Sequence, residues 1–169
     1  MEIHPTAIVH PEAEIGAGVK IGPFSVIGEN VHIGRDTEIA SHVVVEGWTT
    51  IGERCRIASF SSIGAPPQAM RYRGEPTRVL IGNDNSIREY VTINRGTADS
   101  GGLTSLGNGN FLMAYTHIAH DCKVGNQVVM ANASTLAGHI VVEDFAIVGG
   151  LAAIHQFVRV GCYAMIGGL

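Results

Sequence analysis

Every sixth residue of this chain is aliphatic. The stretch IGAGVK IGPFSV IGENVH IGRDTE, starting at Ile15, sets the phase. The phase runs from Ile3 through Ile63, resumes at Ile81, Ile87 and Ile93, slips by one residue, and continues from Leu106 through Ile166. All 25 of these positions are apolar, which chance does not produce. The next residue is often Gly or Ala, and the one four along is usually small: Ala7, Ala13, Val19, Ser25, Val31, Thr37. A helix of about 3.6 residues per turn cannot hold a six-residue register, and a plain alternating strand would not need the recurrent small positions. Short flat strands broken by corners account for both. The pattern therefore predicts an all-β chain wound as a parallel β-helix of hexapeptide repeats, each side giving one inward aliphatic.

In this repeat the sequence resembles the hexapeptide-repeat acyltransferases, and the resemblance implies a left-handed, three-sided prism. Periodicity alone fixes neither the hand nor the number of sides. Three hexads make one coil, so the chain is expected to form about nine coils stacked roughly 4.8 Å apart. Two stretches interrupt the pattern, APPQAMRYRGEPTRV (65–79) and NRGTADSGGLTS (94–105). Counted in threes from Ile3, Ile63 and Ile93 begin the second side of consecutive coils, so both inserted loops leave from one corner and predict a built wall. The same count stacks residues eighteen apart. His120 then lies under Gly138 and Gln156, Asp121 lies under His139, and His155 takes the slot of Ala119 two coils up. His155 stands where the repeat usually has Gly or Ala, although His4, Glu46, Arg88 and Glu143 share that slot. One polar patch is predicted: His120, Asp121, Gly138, His139, His155 and Gln156.

Composition narrows the chemistry. Hydrophobic content is 46%, yet no apolar run approaches the roughly 18 residues of a membrane span. A net charge of −4 with scattered Lys and Arg argues against a nucleic-acid partner. The start, MEIHPTAIVHPEAEIG, lacks a signal-peptide pattern. Cys55, Cys122 and Cys162 are odd in number and lack metal-ligand spacing, which fits reduced thiols in the cytoplasm. The predicted patch suits acyl transfer. A hydroxyl or amine attacking a thioester must lose its proton, and imidazole titrates near neutral pH. A carboxylate can fix the imidazole tautomer, as Asp121 would for His120. A glycine amide such as Gly138 can face a tetrahedral oxyanion.

A closer resemblance rests on HIAHDCKVGN, LAGHIVVEDFAIVGG, AIHQF, YRGEPTRV and TINRGT with GGLT. With these motifs the sequence is similar to the UDP-N-acetylglucosamine acyltransferase family along nearly its whole length. The resemblance implies a cytoplasmic homotrimer acting in the first step of lipid A biosynthesis. Its donor is a 3-hydroxyacyl group on acyl carrier protein, its acceptor is the glucosamine 3-hydroxyl of UDP-N-acetylglucosamine, and no cofactor or metal takes part. By the same resemblance His120 is the general base, Asp121 its partner, and Gly138 the oxyanion donor. Gln68, His117, His139, His155 and Gln156 match substrate contacts, and the acyl-chain ruler falls near Gly168. The family's loop commonly reads NQDLKYAGEPT where this chain has PQAMRYRGEPT, so Ala69 replaces an Asp and Arg71 a Lys. Arg71 could still pair with a phosphate, and an altered acceptor pocket leaves a 3-amino UDP-sugar open. The chain reads as a single domain over 1–169, ending in mid-hexad at MIGGL without the family's C-terminal helical domain. Two other readings are a non-catalytic trimeric prism and a carbonic anhydrase-like zinc enzyme with His117, His139 and His155 as ligands.

Overall fold

The computed structural model describes residues 1–169. Its three parallel sheets form the sides of a left-handed prism. The first side has nine strands, from Glu2–Ile3 to Met165–Ile166. The second has eight, from Ile8–Val9 to Ala153–Ile154, and the third eight, from Glu14–Ile15 to Arg159–Val160. Most strands are two residues long, one facing water and one facing in. Lys20, for example, is exposed while Ile21 is buried. The register is eighteen residues per coil, as in Ile3 on Ile21 and Ile118 on Leu136. The inward residues form one continuous core of 31 buried side chains. No helix is long and apolar enough to cross a membrane.

The corners turn differently from the sequence expectation. Eighteen non-glycine residues have a positive φ, each in third place after an aliphatic marker. The small residue in fourth place does not make the turn. It points inward, where a wedge between two sides leaves little room. Ser25 and Thr37 are fully buried there, and their hydroxyls donate to Ala40 O at 2.7 Å and Gly52 O at 2.8 Å. A left-handed residue with a side chain costs roughly 1 kcal/mol. Each coil offsets this by stacking such residues on those below. Their N–H groups donate to the corner carbonyl beneath, as His139 does to His120 O at 3.0 Å. Their side chains stack as well: Phe24, His42, Phe60, Tyr90 and Tyr115 form a column with ring centroids 4.8 to 5.1 Å apart.

Both interruptions leave the corner between the second and third sides, from strands Ser62–Ala65 and Thr92–Asn94, which are neighbours. They are shorter than the sequence suggests. Trp48–Ile51, Arg78–Ile81 and Leu103–Leu106 pair over four residues each, which takes Arg78, Val79 and Leu103 to Ser105 into the third sheet. The insertions proper are 66–77 and 95–102. Extending the strands satisfies backbone groups that a longer loop would leave unpaired.

Candidate active site

The corner that carries the insertions also carries Asp121, His139 and Phe157. They occupy the left-handed slot of three successive coils, at φ 61°, 64° and 64°. His120, Gly138 and Gln156 precede them. His120 Nδ1 lies 2.8 Å from Asp121 Oδ2, and the two side chains are 12% and 3% exposed. A carboxylate acceptor places the proton on Nδ1 and leaves the Nε2 lone pair free. Asp121 is itself held. Thr97 donates its N–H to Oδ1 at 2.9 Å and its hydroxyl to Oδ2 at 2.6 Å, and the Asp121 N–H donates to Thr104 Oγ1 at 2.8 Å. His139 meets the His120 ring edge-on, centroids 5.0 Å apart, and stacks on Phe157 at 4.6 Å. A Cβ on Gly138 would stand 2.8 Å from His120 Nε2, so only glycine admits the ring. The Gly138 N–H donates to no acceptor in the protein.

A cavity of about 710 Å³ opens over this corner. Gln68 and Arg71 come to it from the first insertion, Thr97 from the second, and His120, His139 and Gln156 from the prism. A groove of about 730 Å³ runs along the first side. Its Lys20 pairs with Glu38 at 2.9 Å and its one imidazole, His4, bonds Thr6 rather than a carboxylate, so the imidazole–carboxylate pair belongs to the other cavity.

The predicted patch is therefore brought together except at His155, which is exposed, lines no part of the cavity, and lies 3.4 Å from Gln156 O. His117 faces out from the second side, with Nδ1 2.7 Å from Thr92 Oγ1, and also stands outside the cavity. Burial, with a smaller contribution from the charge of His120, holds its imidazole below the usual range. Gly168 sits at a different corner, between the first and second sides, where a Cβ would meet Gly150 O at 3.0 Å. Within one chain, histidines 117, 139 and 155 do not converge as a zinc set. The group whose ligand atoms lie within 4.8 Å of one another is His120, Asp121 and His139. At Asp121 Oδ2 a metal ion would compete with the Thr97 hydroxyl and His120 Nδ1. Burial pushes the neighbouring Cys122 thiol up to about 11, so it offers no thiolate near neutral pH.

Several contributors escape the stacking count. Arg95 is buried without a carboxylate partner. Its Nη1 donates to Gly64 O at 2.8 Å and its Nη2 to the Tyr72 hydroxyl at 2.8 Å, and it lies 5.6 Å over the rings of Trp48 and Tyr72. Arg95, Thr97 and Tyr72 lie in the insertions, where counting by eighteen says nothing. Phe157 could have been found, since it is His139 plus one coil.

The family model described as the GMPPB C-terminal domain matches residues 3–98. An acyl-[acyl-carrier-protein]–UDP-N-acetylglucosamine O-acyltransferase of Thermodesulfovibrio yellowstonii is 61% identical over 145 residues, which are 86% of this chain and 56% of that protein. Its counterpart in Verminephrobacter eiseniae is 52% identical over 98% of this chain and 63% of its own length. Among solved structures, LpxA from Acinetobacter baumannii superposes with a TM-score of 0.98 at 48% identity, covering 99% of this chain and 65% of that one. UDP-N-acetylglucosamine acyltransferase from Campylobacter jejuni gives 0.96 at 42% identity, with the same coverage. The chain thus spans between 56% and 65% of the length of these relatives. By its repeat the chain belongs to the GMPPB C-terminal domain family, and along nearly its whole length it is similar to the UDP-N-acetylglucosamine acyltransferases.

Proposed function

We propose that the protein transfers a 3-hydroxyacyl group from acyl carrier protein to the glucosamine 3-hydroxyl of UDP-N-acetylglucosamine, the first step of lipid A biosynthesis. One observation carries the reading. A buried carboxylate orients an imidazole at 2.8 Å beside a 710 Å³ cavity walled by both insertions. The names of the relatives supply donor and acceptor. His120 Nε2 takes the proton of the sugar hydroxyl as that oxygen attacks the thioester carbonyl. Asp121 holds the ring and stabilises the imidazolium that forms. The unused Gly138 N–H is available to the tetrahedral oxyanion. Collapse expels the carrier thiolate, and the imidazolium returns the proton to it.

Gln68, Arg71, His139 and Gln156 line the cavity and contact the sugar nucleotide in this reading. His117, His155 and Gly168 lie elsewhere on the prism. They reach substrate only in a cleft between neighbouring prisms of a homotrimer, where Gly168, at the acyl-chain ruler position, leaves room for a longer chain. The setting is the cytoplasm, in keeping with the free thiols of Cys55, Cys122 and Cys162.

The test is turnover by the complete protein, offered both the 3-hydroxy and the 3-amino UDP-sugar with a series of acyl carriers. Products are identified by mass spectrometry. His120→Ala is expected to lower kcat by about 10²- to 10⁴-fold, while His139→Ala and Gln156→Ala raise KM more than they lower kcat. Full activity in His120→Ala would end the mechanism. A trimer by sedimentation without turnover would favour the scaffold reading instead.

A further inference from the structure

The second insertion grips the active-site carboxylate at one root, and the strand that follows the insertion holds the Asp121 backbone at the other. At one root Thr97 supplies two donors, its N–H to Asp121 Oδ1 and its hydroxyl to Oδ2. At the other root Thr104 Oγ1 accepts the Asp121 N–H. Between them Gly96 lies so close that a Cβ would collide with Leu103 N and stand 2.8 Å from Asp121 Oδ1. The oxygen that takes the Thr97 hydroxyl is the one that accepts from His120 Nδ1. Asp121 is 3% exposed, so water gives it little help, and protein donors must hold its charge and its plane. The left-handed corner fixes the Asp121 backbone but leaves the carboxylate free to rotate. Two bonds from one residue remove that freedom. The orientation they set presents Oδ2 to His120 Nδ1 at 2.8 Å.

We propose that Thr97 is a positioning residue and that insertion 95–102 is a clamp for the His120–Asp121 pair rather than a wall alone. The proposal rests on the acyl-transfer reading and deepens it. Thr97 acts through Asp121, so its hydroxyl governs the rate of proton removal and not the binding of the sugar nucleotide.

The experiment compares Thr97→Val, which keeps the shape and the N–H but lacks the hydroxyl, with Thr97→Ser, which keeps the hydroxyl. In the complete protein Thr97→Val is expected to lower kcat about tenfold to a hundredfold with KM for the sugar nucleotide within about twofold. Thr97→Ser is expected to restore kcat to within about threefold. Thr97→Ala, which cannot overpack, must reproduce the valine result. Combined with Asp121→Ala, Thr97→Val should cost nothing further, because its only route is that carboxylate. By NMR, the hydrogen-bonded Nδ1 proton of His120, assigned by its loss in His120→Gln, should persist in wild type and Thr97→Ser and broaden into solvent in Thr97→Val. An unchanged kcat and proton signal in Thr97→Val would overturn the clamp. So would a loss that adds in full to that of Asp121→Ala. A wild-type protein without acyl transfer would instead overturn the functional reading, and the NMR comparison would still judge the clamp.

Discussion

His120 and Gly138 share one van der Waals space. A methyl on Gly138 would lie 2.5 Å from Cε1 and 3.0 Å from Nδ1 of the ring, too close for any real contact. The ring would have to leave Asp121. Gly138→Ala is therefore expected to cut kcat by at least about tenfold with little change in melting temperature, read by steady-state kinetics beside a thermal scan. His117 gives a pH prediction. Its folded imidazole is depressed by burial, while the unfolded one titrates near about 6.5. As pH falls below that value the unfolded chain takes up a proton that the folded chain refuses, so stability falls toward the folded value and is unaffected well above it. His117→Gln is expected to flatten that fall, measured by denaturant unfolding at about pH 5.5 and about pH 7.5. At this scale the sequence was informative wherever a residue belongs to a column. His120, Asp121, Gly138, His139 and Gln156 could be superposed by counting, because backbone pairing fixes the spacing. Counting puts His155 in the same patch, yet it stands outside the cavity, because counting locates a backbone slot and says nothing of where a side chain points.

The insertions obey different physics. A repeat strand is fixed by its neighbours through the sheet, but a loop is fixed by whichever side chains reach it. Arg95 is the main fastener of the first insertion. It draws together Gly64 at the strand end, Tyr72 in the insertion and Trp48 one coil below. Buried cations without a carboxylate depend on such carbonyl, hydroxyl and ring contacts. Arg95→Ala is expected to free residues 66–77. Limited trypsin digestion should cut at Arg71 or Arg73 about tenfold faster, and KM for the sugar nucleotide should rise as Gln68 and Arg71 drift. None of this was legible in the chain, because the two arms of the fastener lie more than a coil apart and no period connects them. The loop ends differ from the sequence pattern for a related reason: Arg78, Val79 and Leu103 to Ser105 look like loop in sequence and are claimed by strand pairing.

For the whole molecule, each coil touches only its neighbours, so the core behaves as a stack rather than a droplet. Ile118 is 1% exposed within that stack. Ile118→Ala is expected to lose about 2–5 kcal/mol of stability, measured by chemical denaturation of the complete protein. The winding itself was the most legible property, since a six-residue period admits few alternatives. The three sides and the left hand came from resemblance, because neither is encoded in the period. The stacking of Asp121 beneath His139 carries a consequence for how the chain tolerates changes in length. Length here behaves like a reading frame. Excising residues 22–39, one full turn, would shorten the rod and leave the sugar-nucleotide KM where it was. Deleting Gln127 alone would slide His139 over His120 and swing the buried Ile140 into water, and turnover should vanish.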